Sequence, residues 1–173
     1  MQLVSYTFYL NFLLILLTTT SQAAHCPTQN QKVTINGNSM SPLFKHDQEV
    51  LVQNGYYACH TVRRGDVITL THTGHKNLLI KRVIAIPGDK YRYEAKHIYI
   101  NGKIATNSDG LNFEIESKML ALYAKSYPVI PAENYLVLGD QPGGSLDASK
   151  FGLIEKNQII GRVMKEKKIK HKQ

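Results

Sequence analysis

The sequence predicts a mainly β domain of many short strands behind an N-terminal apolar helix. Three observations carry this expectation. Short apolar runs with period-two alternation recur along the chain, and helical periodicity is scarce after the first thirty residues. Turn signals separate the runs: Asn36-Gly37, Asn54-Gly55, Arg64-Gly65-Asp66, Thr73-Gly74, Pro87-Gly88-Asp89, Asn101-Gly102 and Gly139-Asp140. Finally, 173 residues, 43% hydrophobic and 20% charged, suit one globular domain. Such a chain buries about two-thirds of its unfolded surface, enough for a core of its own.

The first element is a leader, expected over residues 1–24. No Asp, Glu, Lys or Arg occurs in residues 1–31, and residues 8–17 form a dense apolar run. That run has the length of a signal-peptide core and is shorter than the ~20 apolar residues of a comfortable spanning helix. Leu3, Val4 and Tyr6 extend it towards a span, so a signal peptide and a membrane anchor both remain open, with a buried core helix as a third reading. Ser21 and Ala23, or Ala24, supply the small residues of an export cleavage site, where a peptidase at the same membrane face, including a second copy of this chain, can act.

The β-rich domain is expected over residues 25–163. Its strands are read at Val33-Thr34-Ile35, Glu49-Val50-Leu51-Val52, Asp66-Val67-Ile68-Thr69-Leu70, residues 78–86, His97-Ile98-Tyr99-Ile100 and Tyr135-Leu136-Val137-Leu138. Asn101-Gly102 between Ile98-Tyr99-Ile100 and Lys103-Ile104 predicts a tight hairpin. A short helix is expected around Ser117-Lys118-Met119-Leu120-Ala121-Leu122.

A basic tail, residues 164–173, closes the chain. Lys and Arg number 21 against 13 Asp and Glu, a net +8. Five Lys and one Glu in the last nine residues supply +4 of it. The body has no basic stripe and no aromatic-flanked cationic groove, so no nucleic-acid partner is expected. The tail is a solvated end or a contact for anionic lipid or a partner.

Cys26 and Cys59 are compatible with an oxidising compartment, either paired or as two free thiols. Two Cys at this spacing make no zinc site, and His72-x-x-His75 lies in a Thr/Gly-rich loop without a further ligand nearby. No metal and no cofactor are expected.

Three blocks carry chemistry. Asn36-Gly37-Asn38-Ser39-Met40-Ser41-Pro42 presents a serine in a Gly-containing turn. Lys81-Arg82-Val83-Ile84-Ala85-Ile86-Pro87-Gly88-Asp89 places a lysine inside an apolar strand. The third runs from Gly139-Asp140 through Ser145-Leu146-Asp147 to Gly152. Strand alternation puts Lys81 on the face of Leu79, Val83 and Ala85. A lysine on an apolar face is expensive while charged, so its pKa falls and it becomes a neutral base near neutral pH. Taken singly, Lys81 also fits a snorkelling edge lysine and Ser39 an ordinary turn serine. Their occurrence in order with the third block selects the chemical reading.

These blocks resemble the type I signal peptidases, membrane-associated serine peptidases with a Ser/Lys dyad. Ser39-Met40-Ser41-Pro42 is similar to the family's Ser-Met-x-Pro motif, and Lys81-Arg82-Val83 with Pro87-Gly88-Asp89 to its lysine motif. Arg64-Gly65-Asp66-Val67 resembles the start of a family strand, and Gly139-Asp140 opens the last box. The resemblance covers about residues 36–163 and implies a mainly β fold built from antiparallel sheets. It implies Ser39 as nucleophile, Lys81 as general base, Ser145 as the hydroxyl that holds the lysine amine, and Asp147 as an ordering acid. It implies an oxyanion hole containing the Ser39 N–H. Many relatives add a hydroxyl two residues earlier, where this chain has Gly37, which leaves backbone or Asn38 as second donor. By family position Ile35, Met40, Leu79 and Ile80 line the pocket for a small residue. Pro142, Gly143 and Ser149 depart from the Arg, Asp and Arg of typical members.

The resemblance further implies cleavage of leaders after Ala-x-Ala-type sites, with preprotein or prepilin substrates, at a membrane surface on the exported, periplasmic side of the cytoplasmic membrane. The short leader and small domain look more like the conjugative-transfer branch, which matures pilin and secretion-channel subunits, than the housekeeping enzymes. A non-enzymatic scaffold of a secretion assembly is the reading from another class, and an amine on an apolar strand face argues against it.

Overall fold

A computed structural model describes residues 26–141 and 143–164. The leader at 1–24, with its expected helix, and the tail from residue 165 lie outside these residues, as does Pro142. Among the described residues, no helix is long and apolar enough to cross a membrane.

Among the described residues, ten strands form two antiparallel sheets. β1 (Gln29–Thr34), β2 (Glu49–Asn54), β3 (Val67–Leu70), β4 (Leu79–Ala85), β8 (Asn134–Leu138), β9 (Ile154–Glu155) and β10 (Ile159–Met164) make a seven-stranded sheet in the order β1-β2-β10-β3-β4-β8-β9. β5 (Tyr91–Glu94), β6 (His97–Ile100) and β7 (Lys103–Ile104) make a three-stranded sheet. Two helices accompany them, α1 (Lys118–Ser126) and α2 (Ala148–Phe151).

Strands β3 and β8 are largely apolar because both their faces are covered. In β3, Ile68 and Leu70 pack with Tyr57, Val83 and Val137, while Val67 packs with Ile35, Met40, Val50, Val52 and Val163. In β8, Val137 joins the first of these groups, and Leu136 and Leu138 face a third around Phe113 and Leu120. This third group sits under the small sheet and α1. Alternation here sorts residues between two cores and not between core and water.

Most elements fall where the sequence puts them. The Asn101-Gly102 turn joins β6 to β7 with φ of 51° and 81°, the two positive values a tight hairpin of this type needs. Asn101 Oδ1 accepts the Lys90 N–H at 2.9 Å, which ties the hairpin to the Pro87-Gly88-Asp89 turn. The expected helix begins where Ser117 caps it, its Oγ accepting the Leu120 N–H at 3.1 Å, and runs on to Ser126.

Differences from expectation have local causes. β1 starts at Gln29 and is polar and exposed as an edge strand, and Ile35 lies just beyond it, buried. β10 sits between β2 and β3 although Gly161 interrupts its pattern. A Cβ at Gly161 would stand 2.7 Å from Gln53 O, so the close approach of β2 excludes any larger residue. A register shift between Val83 and Ala85 carries Ala85 away from the face of Leu79 and Val83 and into the core under the small sheet. The sequence reading kept it with Lys81.

Cys26 and Cys59 are joined by a disulfide, with Cα atoms 5.7 Å apart. It closes a loop spanning 33 positions, worth about 3–4 kcal/mol in the chain-entropy account. The bridge sits just before β1 and pins that edge strand to the Tyr56–Ala58 turn.

Candidate active site

The turn between β1 and β2 carries Ser39. Its base is closed by Ile35 N–H to Gln48 O and Asp47 N–H to Ile35 O, both 2.9 Å. Met40 and Phe44 anchor it in the core, 1% and 3% exposed, so Ser39 is held between fixed neighbours. Ser41 N–H bonds Asn38 O and Phe44 N–H bonds Met40 O, both at 2.9 Å, and the Ser41–Pro42 peptide is cis.

β4 brings Lys81 to this turn. Lys81 is buried, 3% exposed, with Nζ 3.0 Å from Ser39 Oγ and 2.8 Å from Ile80 O. Burial pushes the amine down from 10.5 to about 8, against the pull of the Asp147 carboxylate, which favours the charged form. Near pH 8 the amine is therefore often neutral. A neutral Nζ donates to Ile80 O and offers its lone pair to the Ser39 hydroxyl, which then donates to it. That arrangement can remove a proton from serine without a histidine.

The third block packs against both. Gly139 is required there, since a Cβ would stand 2.5 Å from Ser39 O and 2.6 Å from Ser145 Oγ. Gln141 N–H donates to Ser39 O at 3.1 Å. Asp147 accepts the Gly139 N–H at 2.9 Å through one oxygen and, as the cap of α2, the Ser149 N–H at 3.0 Å through the other. It thus orders the loop and biases Lys81 electrostatically. Ser145 is buried, but its Oγ has no hydrogen-bond partner among the described residues. The expected Ser145–Lys81 bond is absent because Nζ turns to Ser39 and Ile80 O, while Ser145 is packed against Gly139.

Asn38, Ser39, Ile35, Met40, Leu79, Ile80 and Lys81 line one cleft of about 630 Å³, together with Leu146 and Gly144. Ile35 and Met40 are buried, and Leu79 and Ile80 are half-buried. Lys76 and Asn77, which the sequence reading did not single out, stand at the same cleft. Among the described residues, the Asn38 and Ser39 backbone N–H groups donate to no protein acceptor, and Gly37 N–H donates to His46 Nδ1 at 3.0 Å. His72 of the His-x-x-His pair stacks on Phe151 at 4.4 Å.

One further feature escaped the sequence. Arg82, next to Lys81, forms a buried two-pronged pair with Asp140, next to Gly139, at 2.5 and 2.7 Å. A third guanidinium N–H reaches Gly65 O at 3.0 Å. The signal was present as Lys81-Arg82 and Gly139-Asp140, a charge inside one apolar strand and another just beyond the end of a second, but nothing in one sequence says that they meet.

Comparison with known proteins places the chain in a family. The family described as "Signal peptidase, peptidase S26" matches residues 6–165. Signal peptidase IB of Staphylococcus aureus (strain COL) is 35% identical over 142 residues, 75% of this chain and 73% of that protein. Signal peptidase I V of Bacillus subtilis (strain 168) is 30% identical over 136 residues, 73% of this chain and 79% of that protein. A crystal structure of a signal peptidase I from Enterococcus faecalis V583 is similar with a TM-score of 0.45 at 23% identity, covering 61% of this chain and 98% of that one. The matched span runs through all three blocks that carry the chemistry, and the chain belongs to the type I signal peptidase family, peptidase S26.

Proposed function

We propose that this protein removes leaders from exported proteins as a serine endopeptidase, with Ser39 as nucleophile and Lys81 as its general base. The observation that carries the proposal is the 3.0 Å approach of a buried amine to a turn serine oxygen. In the reaction, neutral Lys81 takes the hydroxyl proton while Ser39 Oγ bonds to the scissile carbonyl carbon. The ammonium then gives that proton to the leaving amine nitrogen as the C–N bond breaks. Water attacks the resulting ester, Lys81 takes its proton, and Ser39 Oγ recovers it as the acid departs. The Ser39 N–H is the first oxyanion donor, and Asn38 is the candidate for a second.

Ile35, Met40, Leu79 and Ile80 form the pocket for the residue before the cleaved bond. Their packed apolar side chains favour Ala-x-Ala sites. A preprotein with Ala at −1 should be cut at least about a hundredfold faster than the same substrate with Leu, because the larger side chain must clash. Incubating purified protein with both substrates checks this, and equal cleavage would remove the pocket from the account.

The disulfide at the start of the domain and the apolar run before it support placement on the exported face of the cytoplasmic membrane. Neither the Staphylococcus nor the Bacillus relative is described as a transfer enzyme, and the conjugative role finds no support in them.

A further inference from the structure

We propose that His46 is a positioning residue for the nucleophile turn: its imidazole holds the Gly37 N–H and so fixes the peptides that present Ser39. The proposal rests on the reading of Ser39 as nucleophile. Gly37 lies two residues before Ser39, with φ of 88°, and its N–H donates to His46 Nδ1 at 3.0 Å. A backbone N–H can only donate, so Nδ1 must be the unprotonated nitrogen and the ring proton resides on Nε2. Nε2 stands 3.5 Å from Asp47 Oδ1. Asp47 in turn is tied back to Ile35 by its own N–H at 2.9 Å. Two turns, residues 36–40 and 45–48, are thus clamped by backbone at Ile35 and by one imidazole at Gly37.

This clamp matters at Gly37. The position carries no side chain, so it contributes no hydroxyl to the oxyanion and nothing of its own to fix the turn. Its N–H is committed to His46 and is unavailable to the substrate, which leaves the Asn38 and Ser39 N–H groups as the backbone donors of this turn. Loosening Gly37 would let the Asn38 and Ser39 peptides rotate, and oxyanion donors act only when held in place.

His46→Ala and His46→Asn separate this role from a merely structural one. Asn places an acceptor oxygen where Nδ1 stands. On a preprotein substrate at pH 8, His46→Ala should lower kcat roughly tenfold, the scale of one hydrogen bond, with KM within about twofold. His46→Asn should recover most of that loss. Unchanged kcat in His46→Ala, or failure of His46→Asn to restore it, would overturn the proposal. Retained activity in Ser39→Ala would instead overturn the reading beneath it, so the two failures are distinct.

Discussion

Ser39→Ala and Lys81→Ala should each lower leader cleavage by about four orders of magnitude or more. The double variant should be little worse than either single one. A nucleophile without its base and a base without its nucleophile are equally idle, so the losses cannot add. Ser39→Ala keeps the turn, because Met40, Phe44 and the Ile35–Gln48 and Ile35–Asp47 bonds hold it without the hydroxyl. Lys81→Ala removes a buried amine whose charged form the site disfavours, so the fold should survive that change as well. Single-turnover assays on a preprotein, with circular dichroism on the same samples, check both points. Wild-type turnover in Lys81→Ala would end the dyad assignment.

The second large effect belongs to stability. Asp140→Ala should destabilise the domain by about 3–5 kcal/mol, a substantial share of what a domain of this size possesses. Asp140 is fully buried, Arg82 is 8% exposed, and their two hydrogen bonds link β4, which carries Lys81, to the end of β8, which leads into Gly139. Removing the carboxylate strands a guanidinium in an apolar interior with only Gly65 O to bond. The double change Arg82→Met with Asp140→Leu should be much milder, since it removes both charges together. Urea unfolding measures all three proteins. A loss below about 1 kcal/mol in Asp140→Ala would show the pair to be no better than a surface one.

The sequence carried the fold where apolar pattern and turn chemistry agreed. Asn101-Gly102 specified its hairpin, and the strands around Lys81 and at 135–138 fell within a residue or so of expectation. It was silent on β10, where Gly161 looks like a break and is instead a close-packing requirement imposed by β2, a strand over a hundred positions away. It was silent too on β5, whose Tyr91-Arg92-Tyr93-Glu94 shows little aliphatic alternation. The site was legible as separate pieces: a serine in a turn, a lysine in an apolar strand, a glycine before an acid. What joins them is tertiary. The 3.0 Å contact, the Arg82–Asp140 pair and the His46 clamp each depend on distances that no spacing encodes. Ser145 shows the converse, a residue placed by its motif whose expected bond the packing does not make.

The central claim is that Lys81 works as a neutral amine, and the pH dependence of kcat/KM tests it most directly. The base must be deprotonated to accept the Ser39 proton, so activity is low when the amine is charged and rises as pH passes its pKa. Burial sets that midpoint at about 8. The rate of preprotein cleavage, measured under single-turnover conditions from pH 6 to pH 11, should therefore climb through a midpoint near 8 and level off well before pH 10. A rise centred near 10.5, the value of an unperturbed lysine, would contradict the account by showing that the amine is not desolvated where it meets Ser39.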